Sequence, residues 1–96
     1  MLIYCSHCYG GEEKNKLLVE TKIKKLQLQN EEHTFVSPIH TFGFMYYSLS
    51  YDKGMDLCLS LLSKCDALIV LSEESEGVRR EIEYAKRHAM PIIWLK

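Results

Sequence analysis

Three groups of residues in this 96-residue chain have types and spacings that could do chemistry. The first is a carboxylate. Glu81 lies in Ser75-Glu76-Gly77-Val78-Arg79-Arg80-Glu81-Ile82-Glu83-Tyr84-Ala85, which follows an apolar run and opens a helix, the place where α/β folds usually keep their ligands. The second is Cys5-Ser6-His7-Cys8, which reads as half of a zinc site or as a redox pair at the end of a strand. The third is Tyr9-Gly10-Gly11, where strand, glycine loop and helix follow in the order in which helix-terminal amides meet a phosphate or carboxylate.

The second and third groups each have a plainer reading. A structural zinc site needs a second ligand pair at close spacing, yet Cys58 and Cys65 are seven positions apart on one helix, about two turns, with Cys58 on its apolar face. A thioredoxin-like motif would put its second cysteine at the helix start, whereas here Tyr9-Gly10-Gly11 intervenes. Reduced, packed thiols are expected, with no metal and no cofactor. Gly10-Gly11 matches neither a dinucleotide fingerprint nor a P-loop, and a tight turn explains it equally well.

Twelve Lys and Arg against thirteen Asp and Glu leave no basic excess to hold nucleic acid, so no nucleic-acid partner is expected. No apolar run approaches the roughly 20 residues needed to span a bilayer, and the chain enters a strand-like segment with no charged region before it. The expectation is a cytoplasmic protein without a membrane partner. Residues 1–96 read as one domain, small enough that a homo-oligomer is expected from size.

The elements that must position these groups follow from periodicity. Leu2-Ile3-Tyr4-Cys5 suits a buried parallel strand, and Ser6 to Gly11 a loop. Helical spacing runs from about Glu12 to Gln29, with Val19, Ile23 and Leu26 on one face. Thr34-Phe35-Val36-Ser37 is a second strand stopped by Pro38. Residues 38–51 read as a loop carrying His40, Phe42, Phe44, Met45, Tyr46, Tyr47 and Tyr51, rings that serve as a lid, as a subunit interface or as stacking partners for a planar ligand. Tyr51 to Lys64 returns to helical spacing, with Asp56 in its first turns. Ala67-Leu68-Ile69-Val70-Leu71 is a buried strand, and Asp66 before it sits at the edge opposite the ligand crevice, so it reads as structural. Ser75 is an N-cap candidate for the last helix, whose apolar stripe is Val78, Ile82, Ala85 and Ala89. Glu81 lies beside that stripe, while Glu83 faces water. Pro91-Ile92-Ile93-Trp94-Leu95 makes a final strand.

Four strands alternating with three helices, βαβαβαβ, predict a small three-layer Rossmann-like α/β domain with a parallel sheet. Ligands bind such sheets at the C-terminal strand ends. The crevice there would be lined by Ser6, His7, Tyr9, Gly10, Gly11, His40, Phe42, Tyr46, Ser75, Gly77 and Glu81, with Arg79 and Arg80 near a helix N-terminus to meet a nucleotide.

Over nearly its whole length the chain resembles the nucleoside 2-deoxyribosyltransferase-like superfamily, most closely its short, largely uncharacterised bacterial and phage members. The resemblance rests on Leu2-Ile3-Tyr4-Cys5-Ser6-His7 leading into Tyr9-Gly10-Gly11, on Ser37-Pro38, on Cys65-Asp66, and on Ser75-Glu76-Gly77 followed by Glu81 and Tyr84-Ala85. It implies a nucleoside or nucleotide ligand, with Glu81 as the nucleophile that attacks the anomeric carbon. Asp56 is the nearest match to an acidic residue that orients the sugar and protonates the departing base. Where the transferase pattern has an aspartate six residues before the nucleophile, this chain has Ser75. That departure opens an alternative, a non-catalytic nucleotide binder such as a phage-encoded protein that sequesters a cyclic or ADP-ribose-type immune signal, or a small sensor. In a third reading the aromatic segment serves assembly alone.

Overall fold

The strand Leu2–Ser6 (β1) sends its side chains alternately to two helical layers, and this alternation sets the architecture. In the computed structural model, which describes residues 1–95, β1 is followed by α1 (Glu13–Gln29), β2 (Thr34–Val36), α2 (Pro38–Phe42), a 3-10 helix (Gly43–Ser48), α3 (Tyr51–Leu62), β3 (Ala67–Val70), α4 (Glu76–Arg87) and β4 (Ile92–Trp94). The strands form one parallel sheet in the order β2-β1-β3-β4.

Ile3 and Cys5 join Ala67, Ile69 and Leu71 in a core closed by Val19 of α1 and Ile39 of α2. On the other face, Tyr4, Leu68 and Val70 pack against Leu62 of α3 and Val78, Ile82 and Ala85 of α4. Each fully buried aliphatic side chain in these clusters contributes about 1.5–3 kcal/mol by leaving water. The three-layer α/β arrangement and its four parallel strands are those expected from the periodicity. Asp66 is structural as read: its carboxylate accepts the Leu2 N–H at 2.7 Å, and its own N–H donates to the Leu2 carbonyl at 2.8 Å, locking β1 to the start of β3.

One expectation is corrected. Residues 38–51 are not a loop but two short helical segments and the first residue of α3, so the fold has four α-helices instead of three. Ser37-Pro38 ends the strand and at the same time starts a helix. Ser37 Oγ accepts the His40 N–H at 3.3 Å as N-cap, and Pro38 occupies the first turn, where its fixed φ and missing N–H cost nothing. Ser50 caps α3 in the same way, accepting the Lys53 N–H at 3.2 Å.

Candidate functional site

From β1 the chain crosses to β2 on one side of the sheet, and from β3 it crosses to β4 on the other, so the crevice of this topology opens between the C-terminal ends of β1 and β3. A cavity of about 820 Å³ lies there, walled by the loops after β1 and β3, by α2 and the 3-10 helix, and by the first turns of α3 and α4. Its lining is mostly apolar and aromatic.

Glu81 is the chemical centre. Val78, Ile82 and Ala85 hold α4 against the sheet, and the helical spacing then carries Glu81, only 4% exposed, over β1. Tyr4 and Ser6 are two positions apart on β1 and so point to the same face. Ser6 Oγ donates to Glu81 Oε1 at 2.6 Å, and the Tyr4 hydroxyl donates to Glu81 Oε2. Burial pushes the Glu81 carboxyl up to about 7, outweighing the two hydrogen bonds, which pull it down. Burial and the neighbouring Glu81 also push the Tyr4 phenol up, and they push the Cys58 thiol up to about 11. The result is a desolvated carboxylate with both oxygens held, close to half-ionised at neutral pH, on the wall of a ligand-sized cavity.

The sheet-side lip is tied together. Cys8 N–H donates to Ser72 Oγ at 2.9 Å, and Leu71 N–H donates to the Ser6 carbonyl at 3.0 Å. Lys22 of α1 reaches across to donate to the Leu71 carbonyl at 2.5 Å, and its Nζ lies 3.4 Å from His7 Nε2. His7 Nδ1 meets the Cys8 carbonyl at 2.8 Å, and burial lowers the imidazole below its ordinary value, so the ring is neutral at pH 7. Gly10 and Gly11 both adopt positive φ, +63° and +73°. A Cβ on Gly11 would stand 2.5 Å from the Tyr47 hydroxyl and 2.8 Å from the Tyr46 ring, so the missing side chain lets these rings close over the loop. Tyr9, Tyr46 and Tyr47 meet edge to face, with centroids 5.1 and 5.0 Å apart.

Of the residues expected at the crevice, His7, Tyr9, Gly10, Phe42, Tyr46, Ser75, Gly77 and Glu81 line this cavity. Ser6 sits behind Glu81, and Gly11 supports Tyr47, whose hydroxyl donates to its carbonyl at 3.3 Å. Ser75 caps α4, accepting the Val78 N–H at 3.3 Å. Four residues fall elsewhere. His40 is turned by the Ser37 cap toward α1, where Nε2 meets Glu20 Oε2 at 2.8 Å, beside a separate shallow hollow. Arg79 is exposed outside the lining, and Asp56 is exposed on α3 while Met55 and Cys58 face the cavity. Arg80 is held by Asp52 at 3.3 Å and Glu76 at 3.7 Å, over the Tyr51 ring.

Sequence reasoning missed Tyr4 and Lys22. A signal for Tyr4 was present: a phenol in a strand buried on both faces must find a hydrogen-bond partner. Nothing local marks Lys22, which belongs to a lysine-rich helix. Among the described residues no three His, Cys, Asp or Glu side chains gather into a metal-ligand set, and all four cysteines are free. No described helix is long and apolar enough to cross a membrane.

A search of the curated proteins returned no match. Residues 1–94 match the family described as a domain of unknown function, DUF4406. That match spans every residue of the sheet and of the cavity lining, and the chain belongs to the DUF4406 family.

Proposed function

We propose that the cavity at the C-terminal edge of the sheet binds a nucleoside-type or nucleotide ligand, and that Glu81 acts on its N-glycosidic bond. The observation that carries this reading is Glu81 itself, a buried carboxylate fixed by Tyr4 and Ser6 and facing an aromatic-lined cavity at the switch point of the sheet. An oxocarbenium-like transition state favours such a group close to the anomeric carbon. In the reaction Glu81 forms a bond to that carbon, the C–N bond breaks with its electron pair going to the base, and the base takes up a proton from water. Water or a second base then displaces the carboxylate, giving hydrolysis or exchange. Likeness to the nucleoside 2-deoxyribosyltransferase-like superfamily supports the same reading. The test is incubation of the purified protein with a panel of nucleosides and nucleotides; base release or exchange that exceeds a Glu81→Gln variant supports it, and equal rates sink it.

A second reading keeps the pocket and drops the reaction. Asp56 lies outside the cavity, Ser75 occupies the position of the transferase aspartate, and the other carboxylates on the lining, Glu12 and Glu76, belong to exposed residues. A protein without a buried second acid to protonate the base would hold its ligand unchanged, as a sensor or a sequestering protein does. Mass spectrometry of small molecules carried through purification separates the two: an intact ligand favours binding alone, and a free base with its sugar favours the reaction. We also propose that the protein is a cytoplasmic homo-oligomer covering Phe44 and Tyr47, which are 83% and 84% exposed.

A further inference from the structure

The charges around the cavity limit what can enter it. Its described lining contains three carboxylates, Glu12, Glu76 and Glu81, and no Lys or Arg. Three cations near it are already engaged, and Arg79 on α4 is exposed outside the lining. Lys14 pairs with Glu12 at 3.2 Å, Arg80 with Asp52 and Glu76, and Lys22 with the Leu71 carbonyl beside His7. The N-termini of α1, α3 and α4 at the cavity carry their own acids: Glu12 and Glu13 at the start of α1, Asp52 in the first turn of α3, and Glu76 at the start of α4, with the Ser50 and Ser75 side chains each taking one of the free amides of α3 and α4. Those are the positions at which a helix would otherwise attract an anion.

A phosphate entering this cavity would lose water without gaining a cationic partner from the lining, and it would approach two rim carboxylates. Aromatic rings accept a neutral base and sugar without either cost. Resting on the reading that the Glu81 cavity takes a nucleoside-type ligand, we infer that this ligand carries no phosphate, and that Glu12 and Glu76 are specificity-determining residues that reject phosphorylated forms. The occupant is an uncharged N-glycoside of a planar base. The same charges count against a cyclic or ADP-ribose-type nucleotide under the binding-only reading.

Calorimetry on the intact chain tests this with matched nucleosides and their 5′-monophosphates at low ionic strength. The nucleoside should bind about tenfold or more tightly than its monophosphate, since juxtaposed like charges oppose binding strongly. Because the Glu12 side chain makes no capping hydrogen bond, a Glu12→Gln/Glu76→Gln variant retains the α1 start, and it should narrow that gap several-fold. Added salt should narrow it in the wild type as well. Wild-type protein that binds the monophosphate as tightly as the nucleoside, or more tightly, overturns the inference while leaving the cavity reading in place. A gap that the double variant leaves unchanged overturns the assignment to Glu12 and Glu76. Absence of binding by every member of both series overturns the nucleoside reading itself, and the inference with it.

Discussion

Tyr4 and Glu81 stand 77 positions apart in the chain, yet the phenol of one donates to the carboxylate of the other in the core beside the cavity. Removing the donor leaves a buried carboxylate oxygen short of a partner. Tyr4→Phe should lower stability by about 1–3 kcal/mol and raise the Glu81 pKa further, because that hydrogen bond favours the charged form. Urea denaturation should show a larger loss at pH 8, where Glu81 is ionised, than at pH 5. Equal losses at both values would remove Glu81 from the account.

Glu81 also makes stability depend on pH. Its carboxyl is raised from an ordinary 4.5 to about 7, so the folded protein binds a proton more tightly than the unfolded chain. The resulting stabilisation is fully present below pH 4.5 and is lost as pH rises through 7, about 3 kcal/mol across that window. His7, lowered by burial, acts oppositely: its contribution is fully present above the ordinary value near 6.5 and is lost as pH falls below that through the lowered folded-state value. Comparing the wild type with Glu81→Gln from pH 5 to 8 isolates the carboxyl: the stability of the wild type relative to the variant should rise as pH falls, and a constant difference would contradict it.

If the chain cleaves an N-glycosidic bond, Glu81→Gln should reduce base release by at least about 100-fold, the scale of losing a nucleophile or a charge stabiliser. Asp56→Asn should leave the rate within about twofold, since Asp56 lies outside the cavity. A large loss at Asp56 would restore the pairing of the two acids expected from the family resemblance.

Gly11→Ala should cost more than Gly10→Ala. Both sites have positive φ, which a Cβ disfavours by about 1–2 kcal/mol. Only at Gly11 does the added methyl also meet Tyr46 and Tyr47, since nothing lies within 4 Å of a Cβ at Gly10. Thermal melts of the two variants check the order.

Much of this arrangement is legible in the sequence, and the exceptions share a cause. Val78, Ile82 and Ala85 recur at helical spacing, so a reader of the chain can set Glu81 beside a buried stripe and Glu83 in water. The strand runs are equally plain, because a parallel sheet buries both faces of each strand. The order β2-β1-β3-β4 is not visible, since it depends on which strands pair across the fold. Without it, the meeting of Tyr4 with Glu81 has no local mark. His40 shows a different failure. Ser37-Pro38 is both a strand stop and a cap followed by a first-turn proline, and reading only the stop left His40 in the crevice when the cap turns it to Glu20.

Lys22 has a mechanical consequence for entry. By bridging the Leu71 carbonyl and the ring of His7, it rivets one jamb of the cavity to α1. The opposite wall runs from the Ser37 cap to the Ser50 cap as two short helical turns latched by the rings of Tyr9, Tyr46 and Tyr47. That wall is held by ring contacts in place of a bridge to α1, and its amides should exchange with solvent faster than those of residues 6–8 and 71–72.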